Sequence, residues 1–144
     1  MRVGFVCVHN AGRSQMAAAF AERELINRDL TETVSITTGG TQPADAVHDV
    51  VIDAMQERNF DLTDRTPTEI TPDEIIACDL VVTMGCTAES VCPATWGGTT
   101  HDWPLDDPKG RSIEEVRTIR DDLENRIETL FDEIETQISR RTPS

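Results

Sequence analysis

Cys7 and Arg13 bracket five residues, Val8, His9, Asn10, Ala11 and Gly12, and Ser14 follows at once. A cysteine, a curled loop and an arginine at the loop's end are what a site for a tetrahedral oxyanion requires. Successive backbone N–H groups in a tight loop form a concave nest, and a helix starting there adds its positive end. Asn10 and Gly12 are residue types that enter the left-handed backbone region such a curl calls for. Arg13 can donate in plane to two oxygens of one anion. The same field favours a thiolate at Cys7, and Ser14 is placed to donate a hydrogen bond to its sulfur. Cys7 is thus the expected nucleophile, and Val8, His9, Asn10, Ala11, Gly12, Arg13 and Ser14 form the expected oxyanion cradle. His9 is read as a loop-shaping hydrogen bonder rather than an acid–base group.

A thiolate attacking an oxyanion needs a general acid for the departing oxygen. The candidate is Asp107 in Trp103-Pro104-Leu105-Asp106-Asp107-Pro108, where Pro108 restricts Asp107 to extended backbone. Four cysteines are present, at positions 7, 78, 86 and 92, without zinc-site spacing. Cys78 precedes an apolar run, where packing is its expected role. Cys86 and Cys92 fall in the long stretch from Gly85 to Thr100, which lacks periodicity; loops of that length in compact domains tend to be functional.

These residues must be positioned by strands and helices. Residues 3–8 are a continuous apolar run, as in a strand buried on both faces of a parallel sheet, and Leu80-Val81-Val82-Thr83-Met84 is a second. Thr33-Val34-Ser35-Ile36-Thr37 alternates as an edge strand does. Helical patterns cover 16–28 and 46–58. Thr71-Pro72-Asp73-Glu74 and Ser112-Ile113-Glu114-Glu115 are capping boxes. A terminal helix carries the apolar stripe Ile113, Val116, Ile119, Leu123, Ile127, Leu130, Ile134 and Ile138, and its charged face is expected to be solvated. The series implies an α/β fold: an open, mostly parallel sheet with helices on both faces, in three αβα layers, binding its ligand at the carboxyl ends of the strands.

The chain has 144 residues, 38% of them hydrophobic, and is expected to form a single domain over 1–144. Thirteen basic residues face 27 acidic ones, a net charge of −14. Such a balance lacks the basic footprint of a nucleic-acid binder and is repelled by anionic membranes. No apolar run approaches the roughly 18 residues of a membrane span. The first residues read as a strand rather than a signal peptide, so a cytoplasmic, soluble monomer is expected. Acidity spread through the chain suits a high-salt medium, where screening limits self-repulsion.

The C-x5-R-S loop with Asn10 inside it and Gln15-Met16-Ala17 after it, together with the downstream Asp106-Asp107-Pro108, resembles the low-molecular-weight protein tyrosine phosphatase superfamily. The likeness runs through Thr38-Gly39-Gly40 and Val81-Val82-Thr83-Met84 to the terminal helix. Cys7-Val8-His9-Asn10 followed by Arg13-Ser14-Gln15-Met16 looks most like the arsenate reductases of that superfamily. The resemblance implies a four-stranded parallel sheet; no cofactor and no metal ligands are expected. It also implies attack on arsenate, with phosphate or sulfate as mimics, by Cys7, and protonation by Asp107. Cys86 then attacks Cys7, and Cys92 passes the disulfide outward to a thioredoxin-like, glutaredoxin-like or low-molecular-weight thiol donor. Phosphotyrosine hydrolysis is the alternative within the family. Against it stand the absence of Tyr, an aromatic content of 4%, and Lys109-Gly110-Arg111 instead of rings after Pro108. Two departures from the reductase pattern are visible. Gly85 is interposed before Cys86, and Ala18 stands where many relatives have an acidic residue helping to hold a potassium ion.

Overall fold

The computed structural model describes residues 1–85, 92 and 96–141, with the backbone only at Arg141. Four strands, β1 (Arg2–Cys7), β2 (Ser35–Gly40), β3 (Leu80–Met84) and β4 (Thr99–Asp102), form one parallel sheet in the order β2-β1-β3-β4. Among the described residues the helices are α1 (Arg13–Asn27), α2 (Asp49–Gln56), α3 (Pro72–Ile76) and α4 (Ile113–Arg141). The chain leaves β1 for one edge and returns to β3 on the other side, so strand order reverses between β1 and β3. Cys7 pairs with Gly40 on one side and Met84 on the other, at the carboxyl ends where such sheets bind ligands.

β1 and β3 are the continuous apolar runs because both lie inside the sheet, with helices on both faces. Phe5, Cys7, Val82 and Met84 belong to the main core with Met16 and Phe20 of α1 and the α4 stripe. Val6 and Val81 point the other way, into a smaller cluster with Ile70, Ile75 and Cys78. The two edge strands are weaker in sequence. β2 begins two residues later than its alternating pattern, and β4, Thr-Thr-His-Asp, is almost wholly polar because it is mostly exposed.

Helix limits also move for physical reasons. α1 starts at Arg13, three residues before its apolar periodicity, because Arg13, Ser14 and Gln15 are buried polar residues of the site. α2 is shorter than 46–58. α3 has the complete capping box, with Thr71 accepting from the Glu74 N–H and Glu74 accepting from the Thr71 N–H. Ser112 likewise accepts from the Glu115 N–H.

In α4, Leu123, Ile127, Phe131 and Ile134 are at most 1% exposed, each worth about 1.5–3 kcal/mol of burial. Its charged face is not simply solvated, as expected from the sequence. Arg120 is buried, donating to Ala54 O at 2.8 Å and to Glu57 at 2.7 Å. Arg23 holds Glu124 at 2.7 Å, and Arg28 of the loop after α1 holds Glu24, Asp132 and Glu135. Part of that face is therefore an ionic seam joining α4 to α1 and α2. Among the described residues no helix is long and apolar enough to cross a membrane.

Candidate active site

The loop between β1 and α1 is organised by one side chain. Asn10 is fully buried and left-handed, at φ 52, where a side chain that bonds locally offsets the steric cost. Its backbone N–H donates to Cys7 Sγ at 3.1 Å. Its amide nitrogen donates to Ser14 Oγ at 2.7 Å and Thr38 Oγ1 at 2.9 Å, and its amide oxygen accepts from Gln15 Nε2 and the Thr68 N–H. The Thr38 hydroxyl in turn donates a hydrogen bond to Phe5 O at 2.9 Å. Ser14 Oγ lies 2.8 Å from Cys7 Sγ. Ser14 Oγ accepts from Asn10 and keeps its own hydrogen to donate; toward a Cys7 thiolate, which can only accept, it joins the Asn10 N–H as a second donor. The first-turn amides of α1 have no preceding carbonyl within the helix and close the nest.

Gly12 does not take the left-handed conformation expected of it; its φ is −144. Glycine is needed there for space, since a Cβ would meet Pro108 Cγ at 2.6 Å. The Asp107-Pro108 turn packs directly on the loop. This contact carries Asp107 to Arg13, whose Nη2 lies 3.9 Å from Asp107 Oδ2. Arg13 is only 8% exposed and is pinned by donation to Leu105 O at 2.8 Å. Gly85 explains its place in the sequence in the same way. At φ 79 it lies against the guanidinium, and a Cβ would stand 2.5 Å from Arg13 Nη1. The turn is further held by donation from Lys109 N–H to Asp107 Oδ1 at 3.0 Å and from Arg111 Nε to Asp107 O at 2.9 Å.

Cys7, Arg13, Ser14, Asn10 and Asp107 are therefore brought together as the sequence suggested. Val8, His9 and Ala11 complete the loop, with the carbonyls of Val8 and His9 accepting from Gln42 and Ala44. Cys86 lies outside the described residues. Cys92 is half-buried and packs with Trp96 against Val6, Ile70, Ile75, Cys78 and Val81, across the sheet from the core cluster that holds Cys7. Burial pushes its thiol up from the ordinary value. Cys78 packs, as expected; burial pushes its thiol up to about 11. Sequence reasoning missed Thr68, the Leu105 carbonyl and His48, none of which forms a motif with the cysteine, and Gln15 entered only through the resemblance. Thr38 was noted only for its resemblance. Among the described residues no three His, Cys, Asp or Glu side chains converge as metal ligands, and Ala18 is fully buried with no carboxylate to offer a cation.

The low molecular weight phosphotyrosine protein phosphatase family matches residues 2–140. The chain belongs to this family. Among its relatives, a putative arsenate reductase of Halobacterium salinarum is 54% identical over 132 residues, covering 92% of each chain. The thioredoxin-dependent arsenate reductase of Corynebacterium glutamicum is 34% identical with a TM-score of 0.75; the match covers 94% of this chain and 62% of that one. A solved arsenate reductase in its phosphate-binding state is 29% identical, with a TM-score of 0.74 and coverage of 92% and 98%. The family fold, a four-stranded parallel sheet with helices on both faces, is the one described above.

Proposed function

We propose that this member of the phosphatase family is an arsenate reductase that begins its reaction at Cys7. The observation that carries the reading is the acid turn. After Pro108 it offers Lys109, Gly110 and Arg111, with Arg111 tied back to Asp107 O and Glu115, so this segment presents no Phe, Tyr or Trp to flank a phosphotyrosine ring. A bare inorganic oxyanion needs only the loop amides, Arg13 and Asp107. The relatives named as arsenate reductases support the same choice.

In the proposed sequence the Cys7 thiolate attacks arsenic, and one oxygen leaves as water with a proton from Asp107. A second thiol, Cys86, attacks Cys7 Sγ. The Cys7–arsenic bond breaks with its electron pair staying on arsenic, giving arsenite and a Cys7–Cys86 disulfide. Cys92 then attacks Cys86, freeing Cys7, and a thioredoxin-type donor reduces the final disulfide. The name of the Corynebacterium relative favours that donor class. Such a thiol relay requires a reducing compartment, the cytoplasm. The net charge of −14, together with the Halobacterium relative, supports work at high salt.

The test supplies arsenate with thioredoxin, its reductase and NADPH to the wild-type chain and to Cys7→Ser, Cys86→Ser and Cys92→Ser. Loss of turnover in all three is expected. Loss only in Cys7→Ser would remove the relay, and strong aryl phosphate hydrolysis without arsenite would remove the reductase reading.

A further inference from the structure

Arg13 is gripped from two sides, and both grips hang on one residue of β3. Thr83 is fully buried and lies two residues ahead of Gly85, whose backbone rests against the guanidinium. The Thr83 carbonyl also accepts from the Trp103 N–H at 2.9 Å, one residue beyond the Thr83–Asp102 pair that ends the β3–β4 ladder. Trp103 is buried. Its ring packs on Phe5, two residues before Cys7, at 6.3 Å between centroids, and Arg126 of α4 lies 6.0 Å from the ring centroid. The chain then turns at Pro104. The Leu105 N–H donates back to Trp103 O at 2.9 Å, closing a three-residue turn with Pro104 at its centre. Proline suits that place, because its ring fixes φ near about −65°, close to the roughly −75° of the central residue in an inverse γ-turn. Leu105 leaves the turn with its carbonyl accepting from Arg13 Nη1 at 2.8 Å. Pro104 itself is exposed and belongs to neither core cluster.

We propose that Trp103 and Pro104 are positioning residues for the oxyanion: they fix the Leu105 carbonyl, and through it the Arg13 guanidinium, so that anion affinity depends on a turn outside the oxyanion loop. A guanidinium that donates in plane to two oxygens must be held in orientation as well as in place. Among the described residues, the bond to Leu105 O is the one hydrogen bond that the Arg13 side chain makes. Its approach to Asp107 at 3.9 Å is too long to orient it. Any error in the turn at Pro104 therefore moves the carbonyl, and the arginine follows. The same segment continues into Asp107, so a reaction rate would mix the arginine with the acid. Equilibrium binding of phosphate, which requires no proton donor, separates them. The proposal rests on the reading of Arg13 as the anion's ligand.

The experiment titrates the reduced full-length chain with inorganic phosphate by calorimetry, well below Tm, for the wild type, Pro104→Ala, Trp103→Phe, Trp103→Leu and Arg13→Lys. Thermal unfolding without phosphate is recorded beside each. Pro104→Ala is expected to raise Kd about fivefold, the loosening of one hydrogen bond to a charged group whose full loss amounts to roughly tenfold or more. Trp103→Leu is expected to raise Kd by about tenfold, and Trp103→Phe, which keeps a ring against Phe5, to restore it to within about twofold of the wild type. Arg13→Lys, which loses the planar fork, should bind worst. Wild-type Kd values in Pro104→Ala and Trp103→Leu beside a weak Arg13→Lys would overturn the proposal while leaving Arg13 as the ligand. A Trp103→Leu protein with lowered Tm and unchanged Kd would make the ring a core residue only and overturn its part. Pro104→Ala alters only an exposed ring, so its Kd decides the matter even where Trp103→Leu does not fold. Unchanged binding in Arg13→Lys would remove the anion-site reading itself, and the proposal with it.

Discussion

Gly85→Ala separates the placement of Arg13, the proposed anion-binding arginine, from the stability of the fold. Two costs act at this position. The backbone sits at φ 79, which costs a non-glycine residue about 1–2 kcal/mol. The new methyl would also lie 2.5–2.8 Å from Nη1, Nη2 and Cζ of Arg13, so the guanidinium must retreat by about 0.9 Å to reach ordinary contact near 3.4 Å. The end of a long side chain yields readily, but this one is buried and pinned to Leu105 O at 2.8 Å. A misplacement of about 1 Å at a reacting centre costs on the order of 10²-fold in rate, about 2.7 kcal/mol of transition-state stabilisation. Stability should fall by the backbone cost alone, lowering Tm by about 3–8 °C. Initial rates of arsenite formation at saturating thiol donor give kcat/KM, and thermal unfolding gives Tm. Gly110→Ala is the control for stability: it has φ 73 but open space around its Cβ, so it should lose comparable Tm without any displaced guanidinium. A Gly85→Ala protein within twofold of the wild-type rate would refute the argument that Gly85 exists to seat Arg13.

Four further outcomes follow from the geometry. Ser14→Ala removes a donor from the Cys7 sulfur and should slow its alkylation by iodoacetamide at pH 7 about tenfold, the effect of one hydrogen bond to a charged group. In the wild type, peptide mass spectrometry should find Cys7 alkylated well before Cys78, whose thiol burial pushes up to about 11, and Cys92, also raised by burial; early labelling of Cys78 would contradict its buried placement. Asn10→Ala strands the Gln15 amide and the Thr68 N–H, and urea unfolding should show a loss of about 3 kcal/mol. Glu57 is held down to about 2 by hydrogen bonds from Arg117 and Arg120, below its ordinary 4.5. A folded value below the unfolded one contributes stability that is complete above pH 4.5 and lost as pH falls toward 2. The Tm gap between wild type and Glu57→Gln should therefore be full at pH 6 and close with acidification, and a constant gap would contradict the ion-pair assignment.

The interior strands were legible because burial on both faces leaves no choice but apolar runs in β1 and β3. β4 was not, because an exposed edge strand of Thr, Thr, His and Asp carries no hydrophobic signal. Within the site, Cys7, Arg13 and Ser14 announce themselves by spacing, and Asp107 by the proline after it. The network around Asn10 is different. Thr38 and Thr68 reach it from other elements, across 28 and 58 residues of chain, through single hydrogen bonds that impose no local pattern. The glycines show the same limit: their identities were readable, but not whether a turn or a neighbour required them. Gly12 proved to be a matter of space against Pro108, and Gly85 of both space and a left-handed backbone. The charged face of α4 looked like surface in one dimension, since nothing local distinguishes Arg120, buried against Glu57 and Ala54 O, from Arg117 on the exposed face.

The central claim is that arsenate takes two electrons from thiols of this chain, beginning at Cys7. The reduced protein is mixed with one equivalent of arsenate and no external donor; arsenite and remaining free thiols are then counted, with the oxidised cysteines assigned by peptide mass spectrometry. The account predicts one arsenite formed and two thiols lost per chain in the wild type, and neither in Cys7→Ser. Arsenite formation that persists in Cys7→Ser, or a wild-type protein that keeps all its thiols and releases no arsenite, would contradict it.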